Sequence, residues 1–538
     1  MKHWAVFLLI SVMVTGILVV PQIGQAQSAI EPDTEAFLSA NFHLQDSYNN
    51  VLCVAQNGDC PDEISVAVPC FVLDCANTEQ SYPVGETFDI IQDAAISAGP
   101  GDLIIIMPGR YRGVQVEEMG GEDGAYIHFL GWGDPGSVVV DGSADPEKSF
   151  LRHQFYFIDV HHYIVQNIAF EGAGDGAGIF FSGYFSYTGH FSHHIIVSNV
   201  YSHDNQKWGM HTTATNYMLI QDSAFTNSEE EHGLYISGSG DNVVVRRNVF
   251  QGNPSAGLQV NADPLTATEE VFYWLEMSTE DTCDLSEDDL GDTATWQDVK
   301  DCYDSQGLPD LGEFFEDGIS ENIIIEQNVM TNNGENGAAA INLASVQNSI
   351  IRNNLMYGNF AAGITCWDDA YAEDMGLDSS EFGCQNVTIV NNTMVDEEGN
   401  RGALILNNDA RNMTVANNIM IRDRFDTYEI ANRSGRGLNS SNNYYFERYV
   451  DNSPGAPDDA DSITGFSVDE GFAQFVNPTF EPWILEDGIW FALNPERPDY
   501  HLVAGSELVD AGNAAMLPVL DVLGNLRTSN AIGALGSE

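Results

Sequence analysis

One short motif recurs along this chain: alternating apolar residues, then an amide, then another apolar residue. It reads VQNIAF ending at Phe170, IIVSNVY at Tyr201, LIQDSAF at Phe225, VVRRNVF at Phe250 and IIEQNVM at Met330. It continues as IIRNNLM at Met356, TIVNNTM at Met394, TVANNIM at Met420 and LNSSNNYY at Tyr445. Aligned on Asn167, Asn199, Asp222, Asn248, Asn328, Asn354, Asn392, Asn418 and Asn443, the copies lie 32, 23, 26, 80, 26, 38, 26 and 25 residues apart. A period near 25 describes a unit too small to bury its own apolar face. Such units are stable only when stacked, so chain length here measures coils and not domains.

A second landmark follows in many copies. A glycine opens a short strand: GIFF from Gly178, GMHT from Gly209, GLYIS from Gly233, GLQVN from Gly257 and GITC from Gly363. Each copy therefore carries two or three short strands, whose alternation points one side chain in and the next out. The architecture expected is all-β, a right-handed parallel β-helix in which each copy is one coil. The asparagines are expected to point inward as a ladder, bonding turn backbone and the equivalent amide one coil away. Asp222 interrupts that column and reads as the end of its hydrogen-bond run. The N-x-S/T sites at Asn386 and Asn412 are expected to be buried with the ladder and so closed to glycosylation.

Residues 1–26 read as a secretory signal peptide: Lys2 and His3, an apolar run over residues 4–20, then Gly24-Gln25-Ala26. Export to the extracellular space or cell surface is expected, with no membrane span after cleavage. Residues 27–82 form a leader without the repeat. The β-helix spans 83–450, and 451–538 supply C-terminal coils and a cap. Over residues 87–113, a helix at 88–98 should cover the open solenoid end, followed by a strand at 103–107. Eight cysteines fall in local pairs, Cys53/Cys60, Cys70/Cys75, Cys283/Cys302 and Cys366/Cys384. In an exported chain these read as disulfides. The last two pairs each close one loop, and the first four allow three pairings.

Asp and Glu number 80 against 19 Lys and Arg, a formal charge of −61. Such a surface disfavours nucleic acid and anionic lipid. It suits solubility and, where carboxylates cluster, Ca²⁺.

The PGDxIxxxPGxY segment after the first helix, the asparagine coils and a closing AGSxxxDAG…D…GNxR…IGA resemble bacterial right-handed parallel β-helix proteins of the pectin-lyase-like superfamily. The resemblance covers about residues 83–538. It implies the fold strongly and activity weakly, because that superfamily holds lyases, hydrolases, epimerases, esterases and non-catalytic proteins. The N-x-D, DD and GHG set of the pectin hydrolases is absent. So is a Glu-x-Glu followed by Lys-Ser, since Glu229-Glu230-Glu231 leads only to Ser237 and Ser239.

The spacings of 80 and 38 place insertions at about 263–318 and 366–384, the walls expected for a ligand groove. Their aromatic residues read first as packing for the insertions. Both insertions follow Gly-led strands, whose outward positions read His211, Tyr235, Gln259 and Thr365, with Ser237 and Asn261 two further on. The candidate catalytic residues are Lys207, His211, Glu229, Glu231, His232 and Tyr235. Gln259, Asn261, Trp367 and Asp368 are candidates for substrate binding. Glu229, Glu231 and Asp263 are candidate ligands for Ca²⁺, the one cofactor expected. Adjacent histidines on a strand face opposite ways, so His161/His162 and His193/His194 are not expected to chelate a metal. The partner expected is a polysaccharide or cell-surface glycan, met by a monomer. The reaction is lyase-like or hydrolase-like, and the rival reading is a non-catalytic glycan-binding or adhesion module.

Overall fold

The computed structural model describes residues 34–71, 78–142, 152–278, 296–308, 311–368, 379–396, 401–407, 410–422, 430–432, 436–446, 461–465, 471–479 and 498–536. The signal-peptide reading lies outside the described residues. No helix among them is long and apolar enough to cross a membrane.

Each coil contributes one strand to each of three long parallel sheets, A, B and C, wound as a right-handed β-helix. One coil runs His161–Gln166 in sheet A, Ala169–Glu171 in sheet C and Ala177–Ser182 in sheet B. The next runs Ser192–Ser198, Tyr201–His203 and Trp208–Thr213. Register is kept by like residues stacking over like: Tyr163, Ile195, Met218 and Val243 are successive partners in sheet A. The inward positions merge into one core along the axis. It is aromatic towards the N-terminal end, where Phe157 and Phe181 stack at 4.7 Å, and aliphatic further on. Each such side chain withdrawn from water contributes about 1.5–3 kcal/mol.

The helix at the first coil spans Ile91–Ser97, with Ile91, Ala94 and Ala95 buried against the core. It starts later than expected because Phe88 belongs to strand Glu86–Phe88, paired with Val54. The strand after it is Leu103–Ile106. Residues 27–82 are not all a leader, since Val51–Val54 is a rung of sheet A between those two strands.

The ladder is real, but it starts one residue off the expected alignment. Asn248, Asn328, Asn354, Asn392, Asn418 and Asn443 are fully buried, and each Nδ2 donates to the next Oδ1 at 3.0–3.1 Å. Asn167, Asn199 and Asp222 are not in it. They occupy the preceding, left-handed position (φ 57°, 52° and 50°), shared with Arg247, Gln327, Asn353, Asn391, Asn417 and Asn442. Ile168, Val200 and Ser223 fill the inward column there, and Ser223 N–H donates to Asn248 Oδ1 at 3.0 Å. Asp222 therefore ends no run. It accepts two hydrogen bonds from Arg247, one coil on, at 2.7 and 2.8 Å. A second buried ladder went unread: Asn253, Asn333 and Asn359, five residues after a ladder member, with Asp396 next in line. Asn386 and Asn412 are exposed, so the burial argument against glycosylation fails for both.

Four further expectations meet the structure. Cys53 and Cys60 form a disulfide, and Cys70 and Cys302 are each disulfide-bonded. Cys366 and Cys384 are free thiols buried side by side in the core, where Cys384 also faces the carbonyls of Leu343 and Trp367. The C-terminal segment lies along the outer face of sheet C, where Tyr500, Leu502, Leu508 and Ile532 pack on Val329, Leu355, Tyr357 and Ile419. Finally, His162 and His194 have φ of 57° and 56°. This left-handed kink, shared in register by both strands, breaks the strand alternation, so the adjacent imidazoles lie on one side, with Nδ1 atoms 3.1 Å apart in His161/His162 and 2.8 Å in His193/His194.

Candidate functional site

Two of the three outer faces are covered. On sheet A, Ile164, Ile196, Leu219, Val244 and Ile324 meet Leu38, Phe42 and Phe71 of the N-terminal segment. Arg246 on that face is bound to Glu35 at 2.7 Å, well away from sheet B chemistry. A cavity lined by Leu38, Phe42, Gln45, Phe71 and Leu219 also belongs to that cover. Sheet C carries the C-terminal segment. Sheet B keeps a partly exposed outer face over its earlier coils.

Its central column is set by parallel register: Gln115, Tyr156, Phe180, His211, Tyr235, Gln259, Asn342, Thr365 and Ile405 are successive neighbours. The expected order His211, Tyr235, Gln259, Thr365 holds, with Asn342 as a member that the insertion had hidden. From Tyr156 to Tyr235 the column is aromatic and partly exposed. His211 stacks on Tyr235 at 4.8 Å and packs against Phe180 at 4.6 Å and Trp208 at 4.5 Å. From Gln259 onward it is buried and bonded to itself. Asn342 Nδ2 donates to Gln259 Oε1 at 2.5 Å, and Thr365 donates to Asn342 Oδ1. Gln259 is thus held by its neighbours and does not face open solvent.

Burial sets the electrostatics of the column. His211 is held well below the usual imidazole range, first by desolvation and then by His153, His232 and Arg152. It is a neutral ring. Ser237 Oγ, which donates to Thr212 O at 3.0 Å, lies 3.1 Å from His211 Nε2, so Nε2 carries the proton. That leaves Nδ1 as a lone pair, buried with no protein partner, and Trp208 Nε1 is unpartnered beside it. His232 is lowered to about 4 by burial. Its Nδ1 accepts from Ala256 N–H at 3.0 Å, and its Nε2 lies 3.6 Å from Glu231. Burial raises the Glu231 carboxyl, which Glu230 reinforces and Lys207 opposes. Lys207 Nζ sits 3.1 Å from Asp175 and 5.6 Å from the Trp208 ring centroid. Arg152 reaches the same Asp175, donating to its carbonyl at 2.6 Å. Lys207, His211, Tyr235, His232 and Glu231 therefore form one contiguous surface, with two cations around one aspartate at its edge.

Other candidates stand apart. Glu229 is exposed and its backbone N–H bonds Asn205 O. Asp263 accepts from Thr266 N–H at the start of helix Pro264–Ser278, and Asn261 accepts from Asp263 N–H. These are turn and cap duties, which explains the expected Ca²⁺ triad failing to assemble. Among the described residues, the group of three ligating side chains that does converge is His162, His193 and His194. Asp368 is buried, and Trp367 Nε1 is buried without a partner.

The first insertion folds as helices Pro264–Ser278 and Trp296–Ser305. Val271, Leu275, Val299 and Tyr303 pack with Phe185 and Phe191 at the edge of sheet B. Trp274 lies against Gly189, where a Cβ would sit 2.7 Å from its ring. Most of these aromatics hold the wall to the solenoid. Tyr184 and Tyr187 differ, being exposed and stacked at 4.5 Å on the short helix Phe185–Thr188 and its approach. Sequence reasoning missed them, and also Tyr156 and Trp208, because none stands two residues after the glycine of a Gly-led strand; Phe180 does stand there, in GIFF, but offers no titratable or hydrogen-bonding group to single it out.

The model of the right-handed β-helix region matches residues 148–272. No sequence among curated proteins matches. Among solved structures, the pectate lyase Pel9A is 15% identical, with 93% of this chain and 99% of that one covered and a TM-score of 0.52. An alginate lyase from Paenibacillus sp. str. FPU-7 is also 15% identical, with 65% and 96% covered and a TM-score of 0.42. The A-module of a mannuronan C-5 epimerase from Azotobacter vinelandii is 15% identical, with 66% and 87% covered and a TM-score of 0.37. The fold is a right-handed parallel β-helix. At these identities the likeness is one of fold.

Proposed function

We propose that this chain is a secreted enzyme that cleaves a carboxylated polysaccharide laid along the outer face of sheet B. One observation carries the reading: on a chain of charge −61, Lys207 and Arg152 converge on a single aspartate at the end of an aromatic column. Sugar rings stack on aromatic faces, and a uronate carboxylate needs local positive charge to approach such a surface. Tyr156, Trp208 and Tyr235 supply the stacking. Lys207 and Arg152 offset the carboxylate, which makes the neighbouring C–H more acidic. Tyr235, acting as its phenolate, accepts that proton and becomes the neutral phenol. Glu231, whose raised carboxyl retains a proton more readily than an ordinary glutamate, gives one to the leaving oxygen. This is β-elimination. Hydrolysis would need an ionised carboxylate across the bond from Glu231, and the carboxylate at the edge of this surface, Asp175, is already engaged by Lys207 at 3.1 Å. Ca²⁺ enters as a loose counterion of the acidic surface. The fold likeness to Pel9A, a pectate lyase by its name, is consistent with this substrate class.

The test incubates the protein with a panel of uronate and neutral polysaccharides, with and without Ca²⁺. Unsaturated products absorbing in the ultraviolet are expected, lost in Lys207→Ala and Tyr235→Phe. New reducing ends without that absorbance would replace the lyase reading by a hydrolase. A second reading, glycan binding without chemistry, is favoured by the exposed Tyr184/Tyr187 pair. Binding without any product, weakened in Tyr184→Ala but not in Lys207→Ala or Tyr235→Phe, would establish it.

A further inference from the structure

On the other side of the solenoid, the outer edge of sheet A carries four histidines in two successive coils. His161 pairs with His193 in register, and their rings stack at 5.1 Å and 9°. His162 and His194 stack at 4.6 Å and 9°. The left-handed kink at His162 and His194 turns both columns to one side. As a result, one ligand atom from each of His162, His193 and His194 lies within 4.8 Å of the other two. Imidazole nitrogens bound to one ion at about 2.0–2.1 Å stand about 3 Å apart, close to the 2.8 Å between His193 and His194 Nδ1.

The surroundings fix the rings. His161 rests on Gly120, where a Cβ would meet its ring at 2.4 Å. Tyr217 stacks on His194 at 4.7 Å and donates to Glu313 at 2.6 Å. Phe42 from the N-terminal segment and Phe314 from the first insertion close the sides. Asp123 and Glu313 act on His194 from outside, and Asp159 and Glu122 act on His161.

We propose that His162, His193 and His194 form a binding site for one late first-row divalent ion, of the Zn²⁺ or Cu²⁺ class. Imidazole sets of this kind select such ions over Ca²⁺ and Mg²⁺, which take oxygen. The site lies on a different face from the glycan column and stands independently of that reading. The test uses untagged full-length protein dialysed against Cu²⁺ or Zn²⁺ in excess Ca²⁺, so that surface carboxylates are already occupied. One ion retained per chain is expected, with nitrogen splitting from several imidazoles in the Cu²⁺ electron paramagnetic resonance spectrum. Losing even an outer partner of a metal ligand costs 10–100-fold in affinity, so His193→Gln and His194→Gln should each weaken binding by about 100-fold or more. No stoichiometric ion in the presence of Ca²⁺, or a spectrum of oxygen donors only, would overturn the proposal. The spectrum of the unmodified protein decides the matter even if a variant fails to fold.

Discussion

Replacing Asn354 and Asn199 by alanine, one at a time, separates the two asparagine columns. Asn354 is fully buried and its side chain makes five bonds. Its Nδ2 donates to Ile325 O, Arg352 O and Asn392 Oδ1 at 2.9, 3.1 and 3.0 Å. Its Oδ1 accepts from the backbone N–H and the Nδ2 of Asn328, both at 3.0 Å. Alanine leaves at least the Asn328 N–H and the Ile325 carbonyl buried without these partners. Each orphan costs about 1–3 kcal/mol, so Asn354→Ala should lose about 3–5 kcal/mol. Asn199 is half-buried, and its amide makes one ladder-like bond, to Asn167 Oδ1 at 2.9 Å. Its left-handed φ of 52° adds a backbone penalty for alanine, for a total of about 1–2 kcal/mol. Urea denaturation followed by far-ultraviolet circular dichroism reads both. Equal losses, or a loss below about 1 kcal/mol for Asn354→Ala, would refute the assignment of energy to the inward column.

Asp241 is raised to about 9, chiefly by burial, among Asp317, Glu321 and Glu313. A raised carboxyl contributes stability that is complete below its ordinary range near 4 and is lost as pH rises towards 9. Asp241→Asn should therefore flatten the fall in melting temperature between pH 5 and pH 9. A slope matching that of the unaltered protein would refute this. A double-mutant cycle on Asp222 and Arg247, each side chain about a third exposed, should give about 1 kcal/mol, reduced in high salt. Coupling of zero would mean that the bidentate pair is ornamental. Cys366 and Cys384 should resist maleimide in the folded protein and react on denaturation, as mass spectrometry would show. A covalent link between them under non-reducing conditions would contradict the free-thiol state.

The repeat period and the inward apolar alternation were legible in the sequence because stacking forces neighbouring coils to carry the same residue type at the same place. That logic yielded the β-helix, the inner helix at the first coil and the order of the outward column. It failed wherever one backbone torsion mattered. Asn199 and Asn248 look alike in their motifs, yet a left-handed residue before the turn puts one outside and the other in the ladder. The same torsion at His162 and His194 defeats strand alternation and brings together imidazoles that the sequence sets apart. Exposure was equally out of reach. Sheet B is the face left partly open because residues more than 100 apart, from the two ends of the chain, cover sheets A and C. Local pattern determined which residues form the coils. Only the tertiary structure decided which face of them is free, because burial by distant segments and the sign of φ leave no periodic trace.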